Sequence, residues 1–123
     1  MRAEAQRWME QAQYDLDTAK ANYQIKKYYA SAFFSQQAAE KALKAFAIEK
    51  TGELPKTHSL FELGKILKIK DDDFIELTPD YTMTRYPDAA NEVPANLYNA
   101  SNTEDKLQAA GRILEKVTKW IHE

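Results

Sequence analysis

Apolar residues recur along this chain at three- and four-residue intervals, the pattern of amphipathic helices, with no stretch alternating residue by residue as a half-buried strand would. Ala5, Trp8, Ala12, Leu16, Ala19 and Tyr23 make one such stripe and predict a helix from about Ala3 to Tyr23. A short connection at Ile25–Lys27 follows. A second helix is expected from Tyr28 to Lys50, with Gly52 as its terminator and Pro55 just beyond. Two long helices joined by so few residues are normally antiparallel neighbours. Phe33–Phe46, within the second, is the most informative stretch: it has no Gly, Pro or β-branched residue to oppose a helix. Gln36, Gln37, Glu40, Lys41 and Lys44 fall within an arc of about 140°, and Ala38, Ala39, Ala42, Leu43, Ala45 and Phe46 fill much of the rest. A helix apolar over most of its circumference belongs in the middle of a bundle. Its polar stripe is then a solvent face, an interface or a ligand wall.

Ser59-Leu-Phe-Glu62 reads as a capping box opening a short third helix, with Leu60, Leu63, Ile66 and Leu67 as its apolar side. Asp71–Asp73 places negative charge at the start of a fourth segment, where the helix dipole favours it; this segment carries Phe74, Ile75 and Leu77 and is expected to continue past Pro79 toward Met83. From Arg85 to Ser101 two prolines, three asparagines and little periodicity predict an ordered loop. So long a loop in a small domain leans toward function. Ser101-x-x-Glu104 is expected to cap the last helix, whose stripe is Leu107, Ala110, Leu114, Val117 and Ile121, widened by Ile113 and Trp120. The fold class expected is all-α: one domain over residues 1–123, an up-down bundle of four main helices plus a short fifth.

Composition narrows the function without choosing it. The 123 residues are 44% hydrophobic and 29% charged, the make-up of a single globular domain. With no cysteine there are no disulfides, thiolate metal sites or thiol nucleophiles, which fits a cytoplasmic setting. A net charge of -2 gives no global pull toward DNA or an anionic membrane. No apolar run approaches the roughly 20 residues of a span, and the first residues lack a signal-peptide core. No DNA or membrane partner and no cofactor is therefore expected.

Four motifs in order carry a family resemblance. They are Ala12-x-x-Asp15-Leu16 with Ala19, the run Tyr28–Ala45, Thr57-His58-Ser59-Leu60, and Arg85-Tyr86-Pro87-Asp88. Over nearly its whole length the chain resembles the HEPN domain (higher eukaryotes and prokaryotes nucleotide-binding). The resemblance implies a bundle of about four or five helices that commonly pairs into a homodimer. Members often act beside a minimal nucleotidyltransferase, and some resemble the helical domain of aminoglycoside nucleotidyltransferases. Others are metal-independent ribonucleases of toxin–antitoxin and defence systems, recognised by an Arg, about four to six residues, and a His on one helix, suited to phosphate and proton handling. This chain departs from that pattern, since only Arg112 and His122 are near in order and nine residues separate them. Fold alone does not choose among these functions.

The candidate residues each carry two readings. His58 either caps and packs locally or contacts a phosphate or base beside a helix N-terminus. Arg85 either pairs with Asp88 or Glu40 to fix the loop, or offers a planar fork to phosphate while Tyr86 stacks on a base. Lys41 and Lys44, with Gln37, form either a salt-bridged solvent face or a phosphate-binding wall. Phe33 projects into the same arc and suits an interface or ligand surface, and Ile113 and Trp120 are further interface candidates. Tyr23, Tyr28 and Tyr29 with Lys26 and Lys27 read as packing at the first turn. Asp71–Asp73 read as a cap, because consecutive helix carboxylates point in different directions and no metal site is expected there. The preferred function is a non-catalytic nucleotide- or partner-binding module with Gln37, Lys41, Lys44, His58, Arg85 and Tyr86 as its site. A metal-independent endoribonuclease and a dimeric scaffold without ligand are the alternatives.

Overall fold

The computed structural model describes residues 1–123, and all of its regular structure is helical, without a strand. Helix α1 (Ala3–Gln24) and helix α2 (Tyr28–Thr51) form the expected antiparallel hairpin. Ala5, Ala12 and Ala19 of α1 face Ala38, Ala39, Ala42 and Ala45 of α2 in the interior, all fully buried. Side chains this small let the two rods approach closely along their length. The turn is held by Lys26, with φ 65° in the left-handed region, and by the buried Ser31 hydroxyl, which donates to the Ala19 carbonyl at 2.7 Å. Gly52, at φ 80°, ends α2 and donates its N–H to Ile48.

Helix α7 (Ala100–Ile121) lies on α2 and closes the bundle with Ile113, Leu114 and Val117 buried. Its cap differs from expectation. Asn99 and Asn102 exchange two backbone-to-side-chain hydrogen bonds of 2.9 Å, so the box sits two residues before Ser101, which lies exposed inside the first turn. Asn at N-cap serves as well as Ser, and the amide of Asn102 does the work expected of Glu104.

Between α2 and α7 the chain makes short elements: α3 (Leu60–Leu67), α4 (Asp72–Leu77), α5 (Asp80–Met83), α6 (Pro87–Ala90) and a 3₁₀ turn (Pro94–Leu97). Ser59 caps α3 by accepting from Glu62 N–H at 3.2 Å, but the reciprocal arm is a relay: Ser59 N–H donates to the Thr57 hydroxyl, which donates to the Glu62 carboxylate. The fourth segment does not run unbroken past Pro79. Proline lacks an N–H and crowds the carbonyl four residues back, so the helix is interrupted and restarts as α5. The predicted loop contains two single-turn helices, each with Pro in its first turn, and α6 ends at Asn91 with φ 53°.

Two ion-pair clusters fasten these short elements to α7. Asp71 caps α4 by accepting from Asp73 N–H and also receives Lys116, while Asp73 takes a two-pronged Arg112 at 2.9 and 3.0 Å. Asp80, at the start of α5 and only 2% exposed, accepts from the Tyr98 hydroxyl at 2.6 Å and lies 3.0 Å from Lys106. Burial pushes the Asp80 carboxyl up, against the lowering pull of those two partners. No helix is long and apolar enough to cross a membrane.

Two predictions follow from the packing and the ion pairs. A Cβ at Gly64 would meet the Ile69 carbonyl oxygen at 2.8 Å and the Phe74 ring at 3.0 Å, whereas one at Gly111 would meet nothing within 4 Å. Gly64→Ala should therefore cost about 1–3 kcal/mol in urea unfolding, and Gly111→Ala should gain about 0.5–1 kcal/mol. The hydrogen bond from Arg112 holds the Asp73 carboxyl below its usual range. That pair stabilises the fold above the ordinary aspartate pKa of about 3.9, and the stabilisation fades as pH falls through the lower folded value. The stability gap between Arg112→Ala and the parent should be largest near neutrality and close toward the acid end. A gap independent of pH would assign Arg112 a packing role instead.

Candidate functional site

The polar stripe of α2 turns inward along one edge. Gln36, Glu40 and Lys44, one turn apart, are all buried, and Glu40 is their hub. Its Oε1 accepts from Gln36 Nε2 at 3.0 Å, and its Oε2 accepts from Lys44 Nζ at 3.0 Å. The same Oε2 lies 3.1 Å from Nδ1 of His58. Gln36 Nε2 also donates to the His58 backbone carbonyl at 3.2 Å, so both the main chain and the ring of His58 are fastened to α2. A buried carboxylate needs this many donors, because an unpaired one would neutralise or destabilise the fold.

Because a carboxylate only accepts, Nδ1–H of His58 is the donor to Glu40, which leaves Nε2 without a partner, in a side chain that is 51% exposed. The ring lies flat on Tyr81 of α5, centroids 4.4 Å apart and planes 6° from parallel. Arg85 arrives at the same tyrosine. Its guanidinium carbon is 4.8 Å from the Tyr81 centroid, 5.6 Å from that of Phe33 and 5.7 Å from that of Tyr86. Neither Asp88 nor Glu40 pairs with it; the exposed guanidinium makes no ion pair and no side-chain hydrogen bond. Phe33 sits edge-on to Phe34 at 5.1 Å, which leaves it half-buried beside Arg85. Thus α2, the segment before α3, α5 and the turn before α6 bring two nitrogen groups and three aromatic rings to one surface.

The lysines go elsewhere. Lys44 is buried against Glu40, with its ammonium 5.8 Å from the Trp8 ring, and Lys41 is bound to Asp15 of α1, itself held by Gln11 at 2.9 Å. Both have carboxylate partners inside the chain, so neither is available as a free phosphate anchor. Gln37 donates its amide to Gln36 at 2.7 Å and stays at the rim of the network. Ile113 is wholly buried in the core and offers no interface surface, because the stripe that was expected to widen outward turns its Ile toward α2. Trp120 packs against Phe46 at 5.7 Å and is half-buried. Arg112 is occupied by Asp73, and His122 stands at the C-cap of α7. Tyr23 and Tyr28 meet edge-on at 5.7 Å, while Tyr29 is exposed.

Sequence reasoning missed Gln36 and Glu40 as organisers and missed Tyr81 altogether. The first two were visible as members of the stripe, with Glu40 four residues from Gln36 and four from Lys44. Tyr81 gave no signal, since a four-residue helix has no periodicity to display.

A buried charge pair and an exposed ring should respond differently to truncation. Lys44→Met strands the Glu40 carboxylate and should destabilise the fold by about 3–5 kcal/mol in chemical denaturation. His58→Ala, at a half-exposed side chain, should cost no more than about 1 kcal/mol.

Comparison with known proteins places the chain in a family. The HEPN domain matches residues 5–123 of the chain. The crystal structure of TT1696 from Thermus thermophilus superimposes with a TM-score of 0.85 at 30% identity, covering 96% of this chain and 98% of that one. ST0689, an archaeal HEPN homologue, superimposes with a TM-score of 0.80 at 29% identity, covering 98% and 99%. No curated protein sequence matches the chain.

Proposed function

Because the chain belongs to the HEPN domain family, we propose that it is a nucleotide-binding module whose site is the cluster of Phe33, His58, Tyr81, Arg85 and Tyr86. The observation that carries this reading is the Arg85 guanidinium, free of any carboxylate and set among three aromatic rings. Arg112, by contrast, ends on the Asp73 carboxylate. An uncommitted planar fork suits two oxygens of a phosphate, and an exposed ring such as Tyr86 suits a base. The free Nε2 of His58 adds a further polar contact beside them. Lys41 and Lys44 support the architecture and take no phosphate.

In this reading the domain works as a homodimer beside a small nucleotidyltransferase, the setting that the family resemblance implies. A light-scattering mass of a single chain would set the pairing aside.

One observation favours a second reading. Glu40 orients His58 and leaves Nε2 as an available base, with Arg85 on the same tyrosine, which is the equipment of a metal-independent ribonuclease without the sequence motif. Mixed RNA incubated in EDTA separates the readings: cleavage that disappears in His58→Ala would make the protein an enzyme.

For the binding reading, calorimetric titration with ribonucleotides and deoxyribonucleotides should give saturable heat. Arg85→Ala should weaken it about 10–100-fold, the worth of a charge-assisted hydrogen bond of roughly 1.5–3 kcal/mol. An absence of heat at millimolar concentration with every nucleotide would overturn the binding reading.

A further inference from the structure

A second surface, sharing no residue with the nucleotide site, lies between α3 and α4. It is a groove of about 810 Å³ whose floor is Phe61, Ile69, Phe74 and Ile75. Phe74 is buried, but Phe61 is 48% and Ile75 62% exposed, and apolar side chains of that size gathered in one concavity are not required by the fold. The groove exists because Gly64 lets α3 close onto the Ile69 carbonyl and the Phe74 ring, which seats the floor at the depth of the helix backbone.

Its rim is cationic on a chain whose net charge is -2. Lys65, Lys68 and Lys70 all line it, and none is in an ion pair; the Lys65 ammonium rests 4.7 Å from the Phe61 centroid. Of the two carboxylates nearby, Asp71 is already engaged by Lys116, which leaves Asp72 as the one unpaired acid. Lys68 holds its place with φ 60°, a left-handed conformation that closes α3 and turns the chain along the groove.

We propose that this groove docks an acidic segment of a partner protein, with two or three apolar side chains anchoring in the floor and flanking carboxylates meeting the lysines. Local charge complementarity selects this occupant. A second copy paired groove to groove would bring the unpaired lysines of both rims into one interface, which is repulsive. An extended anionic bilayer faces the whole acidic molecule beyond the rim, whereas a short segment feels only the rim within a Debye length of about 8 Å. An amphipathic helix of about two turns, or an extended stretch of similar reach, matches the length of α3.

The test is selection from a displayed library of random 15-residue peptides against the whole protein, followed by fluorescence anisotropy on the enriched sequences. Enrichment of net-negative peptides with spaced apolar residues is expected. Their affinity should fall about tenfold or more in Lys68→Glu and in Ile75→Asp, both changes at exposed positions, and stay unchanged in Lys20→Glu on α1. Circular dichroism confirms that each variant is folded. The proposal is overturned by enrichment of basic or uncharged peptides, by affinities indifferent to both substitutions, or by no enrichment at all. Binding of phosphatidylglycerol vesicles that is lost in Lys68→Glu, or light scattering showing that Ile75→Asp dissolves a dimer, would likewise replace it with a membrane or self-association surface.

Discussion

A carboxylate taken out of water into a helical bundle has to be surrounded by donors, and the arrangement of this protein's main surface follows from how Glu40 meets that demand. Its two oxygens receive an amide, an ammonium and an imidazole. Each donor comes from a different constraint. Gln36 and Lys44 are one turn away on α2, and Lys44 brings the positive charge that makes burial tolerable. His58 comes from the extended segment before α3 and is drawn against α2 as a result. Once its ring is fixed, Tyr81 has a flat partner to stack upon, and Arg85 lies over that tyrosine in turn. The order of dependence runs from inside to outside, from a buried charge to an exposed guanidinium.

Much of the framework was legible in the residues. The three long helices fall where three- and four-residue spacing placed them, because a stripe such as Ala5, Ala12, Leu16 and Ala19 repeats over enough turns to be read. The region from Arg85 to Ser101 was not legible in the same way. Pro87–Ala90 and Pro94–Leu97 are single turns, set by proline at their starts and by tertiary packing. Site residues divide along the same line. His58 and Arg85 stood out through their chemistry, and their shared contact with Tyr81 answers to no pattern in the chain. For Lys41 and Lys44 the salt-bridged reading fits the structure better than the phosphate wall, but a stripe on a helix shows only which residues share a face. It does not show that Asp15 of α1 waits beside Lys41, or that the Glu40–Lys44 pair is buried.

The two faces of the molecule differ in how they use charge. Around Glu40 and Asp15 the ions are buried and neutralised in pairs, and the exposed remainder is aromatic with a guanidinium. Along α3 and α4 the lysines are left unpaired above an apolar floor, while Asp71 and Asp73 are committed to α7. Residues of one type thus do opposite work: lysine is a structural counter-ion on α2 and a surface feature on α3. Neighbouring carboxylates, more than helix position, decide which.

Tyr81 has Asp80 as its immediate neighbour, and Asp80 is held from within by Tyr98 and by Lys106 of α7. The tyrosine that supports the exposed cluster is therefore secured by a helix that is synthesised after it. During translation the α1–α2 hairpin can form from its own contacts, yet His58 and Arg85 acquire their common platform only after residue 106 has emerged and α7 has docked. A nascent or C-terminally shortened chain presents the same side chains without the surface they make together. The assembled cluster is in effect a certificate that α7 has docked.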